Sequence, residues 1–203
     1  MVASRRPMSE PPENSVQPRS RTAWRTWLAQ HHGRDGGVWL VRTKKAADGP
    51  TLSTDEVVEE AIAFGWIDSI PKKLDAERWM LWVAPRQAGS NWSRLSKERA
   101  KRMQKAGQMT EAGQAAIDRA KADGSWSALD DVENLVVPPD LAAELAARPP
   151  APDEWEAFPP STKRGILEWI LNAKRQATRE RRIEETARLA QQGKRANQWP
   201  REG

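Results

Sequence analysis

The chain has 203 residues and a net charge of +5, with eleven Trp, two Phe, no Tyr and no Cys. Zero cysteines exclude a disulfide framework, a thiolate zinc site and a cysteine nucleophile. No stretch reaches the about 20 apolar residues of a spanning helix, and the polar N-terminus lacks a signal-peptide apolar region, so a cytoplasmic location is expected.

Charge is unevenly placed. Residues 1–21 carry +2 and residues 193–203 another +2, leaving +1 for the 171 residues between. Both end segments are polar and poor in apolar residues, so they bury too little surface to offset ordering entropy and read as disordered tails. The folded part is near neutral, which disfavours a duplex-binding domain, since such domains carry a strongly basic face.

A first helix is predicted near 22–32, where Trp24, Trp27, Leu28 and His31 follow i, i+3, i+4, i+7 spacing. Gly33, Gly36 and Gly37 end it, and Val38 to Lys45 alternates as a strand. A turn at Asp48-Gly-Pro50 leads to Ser53, which with Glu56 forms a capping box while Leu52 staples onto Val57. Gly65 stops that helix. Trp66–Leu74 is a strand, Asp75-Ala-Glu77 a turn, and Arg78–Ala84 a second strand whose run Trp79-Met-Leu-Trp-Val83 is apolar on both faces and therefore central.

Helices follow: Arg94–Ala106, then Thr110 to Ala122, then a short one from Pro138-Pro-Asp140. Pro149, Pro150 and Pro152 read as a stiff linker before one turn at Asp153–Phe158. The longest helix starts at Pro159-Pro-Ser161, and its apolar stripe changes phase, predicting a break near 175–178. The expected fold class is α+β: a small three-stranded, mostly antiparallel sheet of βαββ type with a helix-rich C-terminal half. Its folded span is 22–192, divided into an α+β part (22–93) and a helical part (94–192).

The segments Phe64-Gly-Trp-Ile-Asp68, Lys72-Lys73, Trp82-Val-Ala-Pro-Arg86 and Ser90-Asn-Trp-Ser93 occur in order, followed by Gly107-Gln-Met109, Asn172-Ala-Lys174 and Thr178–Ile183. This ordered set resembles the YdeI/OmpD-associated family, bacterial proteins often labelled as bacteriocin-protection proteins. The resemblance implies a cytosolic protein with no established reaction. Ser69-Ile-Pro71 departs from the family pattern, and Pro71 stiffens its strand and removes one ladder donor.

The candidate binding surface combines Trp66, Asp68, Lys72, Arg86, Ser90, Asn91 and Trp92. Asp68 is the one catalytic candidate, a carboxylate beside apolar rings that shares a strand face with Trp66 and Ile70. Its structural alternative is to accept a hydrogen bond from a Trp N–H or to pair with Arg86. Arg86 offers a fork for carboxylate or phosphate, and Ser90 or Ser93 can cap the following helix. Arg94 to Lys105 holds six basic residues against Glu98, as a solvated face or a phosphate-following one. His31 and His32 are the only histidines and point apart, so no metal site and no cofactor is expected.

The function expected is therefore a non-catalytic cytosolic binding or stress-protection protein of the bacteriocin-protection type. A small enzyme using Asp68 as acid or base with Arg86 holding an anionic substrate is the alternative, and a weak nucleic-acid binder through Arg94–Lys105 the second. A small anion or a peptide is the expected partner, without membrane insertion, in a monomer or a homodimer.

Overall fold

The computed structural model describes residues 10–43 and 52–198. The expected turn at Asp48-Gly-Pro50, the strand end at Lys44-Lys45 and the outer parts of both tails lie outside the described residues. The chain divides into two compact units, Met1–Ser127 and Ala128–Gly203.

The first unit contains β1 (Ser15–Val16), α1 (Arg21–His31), β2 (Val38–Thr43), α2 (Thr54–Ala63), β3 (Trp66–Lys73), β4 (Arg78–Pro85), α3 (Arg94–Lys105) and α4 (Glu111–Ala122). Its sheet runs β1-β2-β4-β3. β4 is central, as its two-sided apolar run requires, and pairs antiparallel with both β2 and β3. The expected class α+β holds, with one correction: among the described residues the sheet has four strands rather than three. The fourth, β1, pairs parallel with β2, placing Ser15 opposite Trp39 and Val16 opposite Leu40. It lies within the stretch whose composition argues for disorder. Main-chain bonding to β2, including Trp39 N–H to the Asn14 carbonyl at 3.0 Å, orders a segment that has few apolar side chains to bury.

Side-chain alternation sorts the sheet faces. Val38, Leu40, Leu81 and Val83 point to the helix side and join Trp24, Leu28, Val57 and Trp66 in one core. Trp39 and Trp82 sit opposite each other on the other face, their rings edge-to-face at 5.1 Å. β3 breaks register between Asp68 and Pro71. This bulge ends the simple alternation that would have put Ile70 beside Trp66. Trp66 is buried, whereas Ile70 is 82% exposed.

The local signals behave as their chemistry dictates. Ser53 Oγ accepts from Glu56 N–H at 3.2 Å, and Glu56 accepts from Ser53 N–H at 2.7 Å, completing the capping box. Gly65 takes a left-handed φ of 76° between α2 and β3. Thr110 caps α4 and ties it to α2, its hydroxyl donating to the Ala63 carbonyl at 2.6 Å. At that crossing Gly113 allows the backbones to touch: an added Cβ would meet the Ala63 carbonyl oxygen and lie 2.6 Å from Met109 Sδ. Gly113→Ala should therefore cost about 2 kcal/mol, overpacking outweighing the helix-propensity gain. Thermal melts compared with wild type check this; an unchanged Tm would show that the crossing yields freely.

A charged layer joins α1, α2 and α3. Glu60, 1% exposed, accepts from Arg21 Nε and Arg25 Nη1, both at 2.6 Å. Glu59 bridges Arg21 at 3.1 Å and Arg102 at 2.8 Å, and Asp55 pairs with Arg99. Two of the six basic residues of α3 are thus occupied in helix packing.

The second unit holds α5 (Asp130–Glu133), α6 (Pro139–Ala146), α7 (Ala151–Ala157), α8 (Pro160–Leu171) and α9 (Gln176–Ala190). Leu141, Leu145, Trp155, Ile166, Ile170 and Ala187 anchor its core. The predicted break in the last helix is a true end: α8 stops at Leu171 and α9 begins after Arg175. The proline-rich linker is a correction too, because α7 starts at Ala151 with Pro152 in its first turn, where a missing N–H costs nothing. Ala196, in the segment read as a second tail, is buried in the same core.

Candidate functional site

The residues singled out from the sequence separate in space. Trp66 is a core residue whose Nε1–H donates to the His32 carbonyl at 3.0 Å. Lys72 is exposed on β3, with its ammonium 6.0 Å from the centre of the Trp39 ring. Arg86, Ser90 and Trp92 do converge, lining one cavity of about 10 Å³ at the junction of β4 with α3. That is room for a single water-sized group.

The geometry of this junction begins at Gly65, whose carbonyl accepts the Arg86 N–H at 3.0 Å and fixes where β4 ends. The chain then loops from Gln87 to Asn91 and returns, bringing Trp92 under the guanidinium of Arg86, which lies 3.8 Å from the ring centre. Arg86 is 7% exposed and Trp92 fully buried. Arg86 Nη1 donates to the Asn91 carbonyl at 3.0 Å, so Asn91 takes part through its backbone. Trp126 packs on Trp92 with ring centres 4.9 Å apart.

Across the cavity, Asp123 secures the loop. Its carboxylate accepts from Gly89 N–H at 3.0 Å and from Ser125 N–H and Oγ at 2.9 and 2.6 Å. The Ser125 hydrogen bonds, chiefly, hold the Asp123 carboxyl below the usual carboxylate range. Ser93, not Ser90, caps α3, accepting from Ser96 N–H at 3.2 Å.

Asp68 is half-buried, and among the described residues it forms no ion pair with Arg86. Burial pushes the Arg86 guanidinium down to about 10, and the field of Asp68 opposes that shift from a distance. The Trp N–H groups do not reach Asp68 either: Trp66 uses His32, and Trp92 Nε1 has no acceptor among the described residues.

Sequence reasoning did not single out a second, larger hollow. It is an open groove of about 600 Å³ in the second unit, walled by Asp140 and Glu144 of α6 and by Gln176, Glu180, Arg181 and Glu184 of α9. Ala177 and the buried Ile183 also line it. Four carboxylates against one arginine make its lining net negative. Arg179 clamps Asp140 with two bonds of 2.8 and 3.0 Å, which holds the Asp140 carboxyl below its usual range. Arg148 pairs with Glu144 at 2.6 Å from beyond the groove lining. The signal was present as two pairs at i, i+4, Asp140/Glu144 and Glu180/Glu184, each on one helix face. What the spacing does not say is that the two faces meet.

Among the described residues no group of three or more His, Asp or Glu is placed to hold a metal ion. No described helix is long and apolar enough to cross a membrane.

Comparison with known proteins divides the chain in two. Residues 16–116 match a domain of unknown function (DUF8412), so the segments from Phe64 to Ser93 fall within that match. No curated protein and no solved structure matches the chain. Asn172-Ala-Lys174 and Thr178–Ile183 fall within a second match, over 134–193. Those residues, which include both walls of the acidic groove, match the model of the bacteriocin-protection, YdeI or OmpD-associated family.

Proposed function

We propose that the protein is a non-catalytic protection module that captures a cationic peptide segment in the groove between α6 and α9. The observation that carries this is the groove itself: about 600 Å³, open along one side, with an acidic wall beside apolar Ile183 and Ala177. A space of that size is in the range of ligand sites. A peptide bearing Lys or Arg beside an apolar residue matches both parts of the lining. The groove lies within residues 134–193, and the family matched there is described by bacteriocin protection. We place this activity in the cytoplasm, a compartment suited to a chain without cysteine.

The test is fluorescence anisotropy with labelled peptides of about ten residues, one Lys/Arg-rich with two Leu, the other its Glu-rich counterpart. Wild type should bind the cationic peptide, more weakly as salt rises, and reject the acidic one. The double variant Glu180→Lys/Glu184→Lys should lose at least about tenfold in affinity, these being exposed wall residues whose reversal opposes the ligand charge directly. Equal affinity of wild type and variant would overturn the reading.

A further inference from the structure

The Arg86–Trp92 cavity belongs to the first unit and raises a separate question. Two buried donors of residues that line it, Arg86 Nε and Trp92 Nε1, have no acceptor among the described residues. Buried N–H groups are almost always satisfied, so an acceptor is owed to each. The guanidinium is 7% exposed and has no carboxylate within ion-pair distance among the described residues. Asp68 acts on it only from a distance. Asp123 also lines the cavity, but its oxygens already accept the Gly89 and Ser125 bonds, and Arg119 lines the same cavity with the opposite charge.

We propose that this cavity is an anion site holding one small monovalent ion of the chloride class, seated against the N–H groups of Arg86 and Trp92. Charge selects an anion over a water: a water can satisfy the donors, but it leaves the buried cation without a counter-charge. Size selects a single-atom ion. A volume of about 10 Å³ admits one water-sized centre, which favours a single-atom ion over a larger oxyanion. The ring of Trp92, stacked on the guanidinium at 3.8 Å, leaves the in-plane N–H edge of the arginine as the direction from which the ion approaches. The ion would join the end of β4 to the entry of α3, ordering the loop between them.

The experiment uses the full chain. Thermal melts are run in chloride and in gluconate at equal ionic strength, and crystals grown in bromide are measured for anomalous scattering. The expected results are a saturable rise in Tm with chloride and a bromide peak within hydrogen-bond reach of Arg86 Nε and Trp92 Nε1. Trp92→Phe removes one donor while keeping an aromatic face under the guanidinium, and should lose most of the chloride increment. Arg86→Met should lose all of it. Should either variant fail to fold, the wild-type measurements still decide. Equal Tm in the two salts with no bromide peak would overturn the proposal in favour of a buried water. A bromide peak without a chloride increment would mean an adventitious ion only, and would overturn it as well. Neither outcome bears on the peptide groove of the second unit.

Discussion

The double variant Arg21→Ala/Arg25→Ala should destabilise the first unit by about 3–5 kcal/mol, the cost of leaving a buried charge without its partners. Both arginines of α1 reach Glu60 on α2, and the carboxylate is 1% exposed. Removing the cations leaves a carboxylate without partners in a site that the intact fold shields from water. Removing the carboxylate is different, because the two arginine side chains are 33% and 34% exposed and can hydrate where they stand. Glu60→Met should thus cost no more than about 2 kcal/mol. Urea unfolding followed by circular dichroism orders the two variants. If Glu60→Met proves the more damaging, desolvation does not govern this network.

A comparable loss, about 3–5 kcal/mol, is expected for Trp24→Ala. Trp24 is fully buried, stacks on Trp27 with centres 5.2 Å apart, and donates its Nε1–H to the Val57 carbonyl at 3.1 Å. It therefore ties α1 to α2 by packing and by one directed bond. Trp24→Phe keeps most of the ring and removes the bond, so it should cost about 1 kcal/mol from hydrogen bonding plus a small packing loss. Near-equal effects of the two substitutions would mean that the indole N–H, rather than the apolar area, holds the helices together.

The elements most legible in the sequence are those whose cause is local. Ser53 and Glu56 announce the start of α2 three residues apart, Gly65 announces its end, and the two-sided run in β4 announces a central strand. Each is decided by backbone conformation or side-chain alternation within one element. β1 was not legible because two residues carry no period, and its pairing partner Trp39 lies 24 positions away. The short α5 was missed for the same reason.

The sites divide along the same line. Arg86 and Trp92 stood out singly, as a guanidinium fork and an aromatic residue before a helix. Their stacking depends on how the five intervening residues fold back, which periodicity does not encode. The groove demanded more: Asp140 meets Arg179 across 39 positions, a contact set by how α6 packs on α9. Charges at i, i+4 support either helix alone, so the pattern that builds the acidic wall reads from sequence as ordinary helix support.

The break in β3 has a consequence for self-association. β3 is an outer strand, and an outer strand normally offers a row of free amides and carbonyls to any extended chain that drifts past. Here the row is interrupted. The extra residue between Asp68 and Pro71 shifts the spacing of donors, Pro71 supplies none, and the exposed Lys72 and Lys73 repel a second copy of the same edge. At the opposite border β1 contributes only two residues, too few to template a ladder. Among the described residues the β3 border is therefore a poor template for continuing the sheet from one molecule into the next.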